Sequence, residues 1–253
     1  MLKLMKYELR RNRTILLILF IAIACLEGFT LFSLNSKSEV NTIRSFAFLY
    51  LGAIFGVILI FIMAIMSYSK ELGSKYSYMS FMTPTSTYKI IGSKFLTTCF
   101  VAAITTLIAV VLAIVDYNIL INQFTEVKDV QHEILILMTM RGLDVQNIPV
   151  TLSIALLLIW LSIFTSICFA YFAITLSATV FANKSYRGFI SFVIFIVITL
   201  IINKIAGYLP NVDIGTGALN KILTPSLTYL LHLIAMFVAF FGSGLLLDKK
   251  VSL

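Results

Sequence analysis

Long runs of apolar residues, separated by short polar stretches, dominate the chain. A helix needs about 20 mainly apolar residues to cross a hydrocarbon core roughly 30 Å thick, so each such run predicts one spanning helix. Continuous runs such as VILIFIMAIM lack the alternation of apolar and polar residues that membrane β-strands show. The pattern predicts an all-α, polytopic membrane protein with six transmembrane helices, at residues 14–32, 45–66, 95–115, 149–173, 188–208 and 226–247.

Two segments leave alternatives open. The fourth apolar run continues from Pro149 to Phe181, which is longer than one crossing requires. Its helix is tilted, extends beyond the bilayer, or is broken near residues 162–166 to give a re-entrant element. The outer segment 203–225 carries two prolines and three glycines, and it fits short re-entrant helices and an ordinary loop equally well.

Composition supports the membrane class. Apolar residues make up 60% of the chain, charged residues 12%, and the mean hydropathy is +1.03, all outside the range of soluble domains. The 253 residues predict a single transmembrane domain, residues 1–253. Cys25, Cys99 and Cys168 lie in apolar runs without metal-binding spacing. A lipoprotein signal ending at Cys25 is an alternative for the first run, although that run continues to Phe32.

The basic residues predict the orientation, because lysine and arginine are retained on the cytoplasmic side. With the N-terminus inside, thirteen of them lie in cytoplasmic segments and six in outer ones. Acidic residues show the opposite bias, and five lie in the loop after the third span: Asp116, Glu126, Asp129, Glu133 and Asp144. Both termini are therefore expected in the cytoplasm. Topology and anionic lipid headgroups account for the net charge of +8 without a nucleic-acid partner.

Two cytoplasmic segments have helical patterns. Residues 1–13 place Leu2, Met5 and Leu9 on one face, which predicts an amphipathic helix in the membrane interface. In the larger segment, 70–94, apolar residues recur at helical spacing at Leu72, Tyr76 and Met79. They favour a short amphipathic helix over about 71–82, and Pro84 ends it because proline disfavours helical geometry in the preceding residue.

The order and placement of these features resemble the intracellular loop of ABC-2 type transporter permeases, the membrane subunits of a class of bacterial ATP-binding-cassette exporters. The matching features are Lys70-Glu71, the helix to Met82, Thr83-Pro84, Lys89-Ile90-Ile91 and Gly92-Ser93-Lys94. Chain length, six spans, cytoplasmic termini and a basic N-terminal helix also fit that family. The chain departs from the family at Thr85, Ser86 and Thr87, where members often carry another basic residue.

The resemblance implies a permease subunit in a bacterial plasma membrane that exports a hydrophobic or amphipathic cargo, such as a peptide antibiotic, toxin peptide, drug or lipid. It implies two cytoplasmic ABC ATPase subunits, which bind ATP and Mg, and a second permease subunit, either this chain again or a paralogue. The residues expected to couple to the ATPase are Glu71, Leu72, Lys75, Tyr76, Met79, Met82, Pro84, Lys89 and Lys94.

The chain is expected to bind no cofactor and to catalyse no reaction itself. It contains no Gly-Lys pair, so a phosphate-binding Walker loop is missing from the sequence. His132 and His232 lack the spacing of a metal site, so no metal is expected.

One acid and two sets of small residues stand out within the spans. Glu27 either lines the translocation path, where it would bind a cationic part of the cargo, or reaches the outer headgroups, since about 20 Å separates it from Arg13. Small residues recur every fourth position at Gly52 and Gly56, and again at Ala235, Ala239 and Ser243. Such spacing lets helices approach closely, within one subunit or at a dimer seam.

Two other functional classes remain open. A non-transporting immunity or sensor protein would not need the coupling segment 70–94. An ATP-independent channel or secondary transporter would be expected to carry carboxylates within its spans, and the apolar runs show no series of them.

Overall fold

A computed structural model of the chain describes residues 2–36, 39–73, 86–123, 148–180, 186–212 and 224–251. These residues form seven helices and no strand: α1 Leu2–Arg11, α2 Arg13–Asn35, α3 Glu39–Gly73, α4 Thr87–Gln123, α5 Ile148–Val180, α6 Arg187–Ala206 and α7 Ser226–Val251. Six of them, α2 to α7, are long and apolar enough to cross a membrane. The prediction of an all-α, multi-pass membrane protein with six spanning helices is confirmed.

Three spanning helices are much longer than one bilayer crossing. Helices α3, α4 and α5 have 35, 37 and 33 residues, so at 1.5 Å per residue each extends beyond a hydrocarbon core of roughly 30 Å. Helix α5 is continuous through the region where a break was one of the alternatives. There, the hydroxyls of Thr165 and Ser166 donate to backbone carbonyls four residues earlier in the same helix, which satisfies them without interrupting it.

Five helices meet at one end of the bundle, which we call the α1 end. Arg11 of α1 donates to Ser67 near the end of α3. The Tyr68 hydroxyl of α3 pairs with Thr175 of α5, and Thr87 at the start of α4 donates to the Asp248 carboxylate of α7. The first and last helices therefore reach the same end of the bundle, and the charge distribution of the sequence predicts that this end is cytoplasmic.

The small residues of α7 pack against α5 within this chain. Ala235 and Ala239 are buried with Cys168 and Phe169 of α5. Ser243 is fully buried and donates to a carbonyl of its own helix. These short side chains allow α5 and α7 to approach closely.

The helix ends extend into both sides of the predicted coupling segment. Because α3 continues to Gly73, Lys70, Glu71 and Leu72 belong to its last turns. Lys89 and Lys94 belong to the first turns of α4. The interval 74–85 lies outside the described residues, together with the predicted coupling residues Lys75, Tyr76, Met79, Met82 and Pro84. Of the segment 203–225, residues 213–223 also lie outside them.

Candidate functional site

Four charged side chains converge at the α1 end, where α1 crosses the ends of α3 and α4. We call Glu8, Arg11, Glu71 and Lys94 the α1 charge cluster. Glu8 and Lys94 are only 5% and 2% exposed, so these two side chains lie inside the protein, whereas the Arg11 side chain at the edge of the cluster is 29% exposed. Glu8 reaches this position because it shares a face of α1 with Leu9, which packs against the bundle core.

Lys94 is the central cation of the cluster. Its Nζ lies 2.6 Å from Oε1 of Glu8 and forms a second ion pair with Oε2 of Glu71. A buried ammonium is costly unless it is paired and hydrogen-bonded. Carboxylates from two other helices supply the ion pairs, and Glu8 also accepts a hydrogen bond from Lys94. Lys94 thereby joins α4 to both α1 and α3.

Arg11 completes the charge balance. Its Nη2 lies 2.7 Å from Oε2 of Glu8 and donates to the Ser67 carbonyl at 3.0 Å and to the Ser67 Oγ at 2.6 Å. Its Nη1 lies 3.7 Å from Oε2 of Glu71. The Ser67 hydroxyl in turn donates to Glu8 Oε2 at 2.8 Å. Two acids and two bases therefore form one connected network across three helices.

The network sits beside the predicted coupling segment. Glu71 precedes the interval 74–85 by three residues, and Lys94 lies in the second turn of the helix that follows it. Lys89, by contrast, is exposed on α4, whereas Leu72 packs against the core of the α1 end. A relative movement of α1, α3 and α4 would separate buried ion pairs, which is unfavourable, so these helix ends are expected to move together.

A second group of acids lies near the opposite end of the bundle. Glu27 of α2 is 9% exposed, so it is largely buried and does not project into the surroundings. Its carboxyl group lies within hydrogen-bonding reach of Asp116 of α4, which is 2% exposed. Among the described residues, neither acid forms an ion pair with a base, and Asp116 Oδ1 has no hydrogen-bond partner. We call Glu27 and Asp116 the carboxyl pair.

Glu27 also lines a cavity of about 180 Å³ between α2, α3, α4 and α5. It is the one charged residue among the described residues of the lining, and most of the others are apolar. Gly52 and Gly56 of α3 face this space. A side chain at Gly52 would collide with Leu26 of α2, whereas Gly56 has open space beside it. Close helix approach in this region therefore depends on Gly52 alone.

The sequence interpretation did not identify four of these residues: Glu8, Arg11, Ser67 and Asp116. Glu8 had a visible signal, because it is the only acid in the basic N-terminal segment. Asp116 was placed in the outer loop because the apolar run ends at Val115, but α4 continues to Gln123. Its signal is the helical spacing from Ala109 through Leu112, both of which line the cavity.

No protein-family model, no curated protein and no solved structure matches the chain. Within the described part of the chain, no group of three or more His, Cys, Asp or Glu is arranged to hold a metal ion. The features of the chain that bear on its function are therefore the α1 charge cluster, the carboxyl pair and the cavity beside it.

Proposed function

We propose that the chain is the membrane permease subunit of an ABC-2 type exporter in a bacterial plasma membrane. In this proposal it moves a hydrophobic or amphipathic cargo out of the cell. Two separate cytoplasmic ATPase subunits hydrolyse ATP, and a second permease subunit completes the membrane part. The six spanning helices and the resemblance of residues 70–94 to the coupling loop of that family support the proposal.

The α1 charge cluster is the observation that carries the proposal. Glu71 and Lys94 belong to the Lys70-Glu71 and Gly92-Ser93-Lys94 features of the resemblance, which lie at opposite ends of the segment. The two side chains form an ion pair with each other, and both also interact with α1. A force applied between them would therefore act on three helices at once.

The mechanism follows from this connection. ATP binding closes the two ATPase subunits and displaces the predicted contact segment between Gly73 and Ser86. The paired charges of the cluster transmit this displacement to α1, α3 and α4 as one unit, and the bundle opens outward between the two permease subunits. Energy is coupled to transport because the ATPase contacts differ between the inward and outward states.

The test uses the coupling residues that the sequence predicts. The tagged chain is purified with its partners from native membranes, and P-loop ATPases in the complex are identified and quantified by mass spectrometry. We expect an ABC ATPase in equal proportion to the permease. Placing charges on the predicted apolar face, with Tyr76→Asp and Met79→Asp together, should reduce its recovery about tenfold, since charged side chains disrupt an apolar docking face.

Tyr208→Asp is the matched control. Tyr208 is 78% exposed and follows α6 at the opposite end of the bundle, so the same type of substitution there should leave ATPase recovery unchanged. Undiminished recovery with the Tyr76→Asp, Met79→Asp double variant would overturn the proposed coupling site. The absence of any ABC ATPase from the complex of the unaltered chain would overturn the proposed function.

The carboxyl pair favours a second candidate function, an ATP-independent secondary transporter. Intramembrane acids that face each other commonly serve as proton or ion sites. In proteoliposomes that contain only this chain, such a transporter would accumulate a hydrophobic amine dye when a pH gradient is imposed. The Asp116→Asn variant would abolish this accumulation. An exporter subunit without its ATPase would show no uptake in either form.

A further inference from the structure

In the described part of the chain, the carboxyl pair forms no ion pair with a base. Two adjoining carboxylates repel each other when both are ionised, and burial without a base makes that repulsion stronger. In the described part of the chain their charge interactions are with each other, and Asp116 Oδ1 accepts no hydrogen bond although the residue is 98% buried, being 2% exposed. A positively charged partner would satisfy both groups.

Glu27 of the carboxyl pair lines an apolar chamber. Thr105, Ala109 and Leu112 of α4 line the chamber at helical spacing, and Asp116 continues the same face by one turn. On α2, Glu27 follows the lining residues Leu19 and Ile23 along one face. Glu27 therefore lies in the wall of the chamber, Asp116 lies one helical turn beyond the lining residue Leu112, and apolar side chains form most of the rest of the wall.

The size and walls of the chamber restrict the occupant. Its volume of about 180 Å³ exceeds the roughly 150 Å³ of an apolar protein cavity that holds benzene. The hydroxyls of Thr105 and Thr106 donate to carbonyls of their own helix. An inorganic cation such as Ca²⁺ takes six to eight oxygen ligands, of which two carboxylates supply at most four, and the apolar part of the chamber would contribute none. An alkylammonium brings apolar surface with its charge and so suits both parts of the site.

We propose that the carboxyl pair binds the cationic group of the cargo while the chamber holds the adjoining apolar part. The cargo class is then an amphipathic cation, an apolar molecule that carries a protonated amine or a guanidinium group. The assignment to cargo rests on the proposed export function. Binding itself requires only this chain, so the two proposals can be tested separately.

Trp160 provides a built-in reporter of occupancy. It is the only tryptophan of the chain and lines the chamber, so a ligand that enters should change its fluorescence. The full chain in phosphatidylcholine nanodiscs is titrated with phenylbutylamine, with neutral phenylbutane and with anionic phenylbutanoate. These ligands share an apolar body and differ in charge. We expect the amine to bind at least about tenfold more tightly than the other two, as a charge-assisted contact supplies that difference.

Neutral isosteres locate the cation site. Glu27→Gln and Asp116→Asn should each reduce the preference for phenylbutylamine over phenylbutane to less than about threefold, since one acid then remains. Asp248→Asn is the matched control, because it removes an acid at the α1 end and should retain the full preference. Gel-filtration profiles and Trp160 emission without ligand check that each variant is folded.

Equal binding of the amine and phenylbutane to the unaltered chain would overturn the proposal, and that comparison depends on no variant. A full amine preference in both Glu27→Gln and Asp116→Asn would also overturn it. If the ABC ATPase is recovered with the chain but no cation preference is found, only the cargo class fails. If the cation preference holds and no ATPase is recovered, the export function fails and the binding site remains.

Discussion

The α1 charge cluster and the carboxyl pair lie in the same bundle, yet the acidic side chains have basic partners in the first and none in the described part of the second. In the cluster, Glu8 and Glu71 meet two bases, and both oxygens of Glu8 have partners within 2.8 Å. In the carboxyl pair, Glu27 and Asp116 meet each other, and one Asp116 oxygen has no hydrogen-bond partner in the described part of the chain.

The difference indicates two separate roles: the α1 charge cluster holds helix ends together, and the carboxyl pair is proposed to bind a cation. A network whose charges are balanced internally is stable only in one arrangement, so it holds helix ends in register. The negative charge of two acids without a base can be balanced by a proton or by a bound cationic ligand. Removing a charged group from the α1 charge cluster should therefore lower the free energy of unfolding of the protein, and removing one from the carboxyl pair should raise it.

Lys94→Met should produce the largest effect. The substitution keeps much of the side-chain volume but leaves Glu8 and Glu71 buried without their shared cation. Loss of one partner from a buried ion pair costs about 3 kcal/mol or more. We expect a large fall in thermal stability in mild detergent, measured by Trp160 fluorescence. The exposed Lys89→Met on the same helix should change little, and similar losses for both variants would contradict a structural role of the cluster.

Glu8→Gln should have a smaller destabilising effect. The amide keeps one acceptor oxygen, but its NH₂ group would face either Lys94 or the Arg11 guanidinium, which are donors. The expected loss is about 2 kcal/mol in the free energy of unfolding. A double-mutant cycle with Arg11→Met should give a coupling energy clearly above zero. Strict additivity would show that the two residues act independently.

Asp116→Asn should change stability in the opposite direction. The amide removes the repulsion with Glu27, and its NH₂ group can donate to the Glu27 carboxylate. We expect a gain of about 1 kcal/mol without ligand, and a smaller gain when phenylbutylamine is present, since the amine binds the unaltered chain more tightly and so stabilises it more. A loss of stability without ligand would mean that Asp116 already has a cationic partner in the folded protein.

The fold was largely readable from the sequence, because spanning helices depend on long apolar runs that local composition reveals. The run that began at Pro149 was correctly recognised as a span, although the sequence left open whether it was broken. The carboxyl pair was only half visible. Glu27 stood out within an apolar run, but Asp116 follows the last residue of one and was assigned to a loop.

The contacts within the α1 charge cluster could not be predicted from the sequence, for a different reason. Lys94 and Glu71 were expected to contact a partner, and in the structure they contact each other and α1. Charged residues near the end of a span usually indicate the membrane interface, so their burial depends on which helices cross there. That depends on the tertiary packing of α1, α3 and α4, which single-sequence periodicity does not specify.

Gly52 and Gly56 of α3 provide the smallest test, and they examine the chamber beside the carboxyl pair. Gly56→Ala adds a methyl group where nothing lies within 4 Å, so helix propensity should stabilise the chain by about 0.5 kcal/mol. Gly52→Ala should instead be neutral or slightly destabilising, because the added methyl group displaces the Leu26 side chain. Thermal unfolding of the two variants, measured side by side, gives the sign of each change. Equal effects would show that α2 and α3 do not approach closely at Gly52. The chamber between these helices would then be wider than it is in the structure.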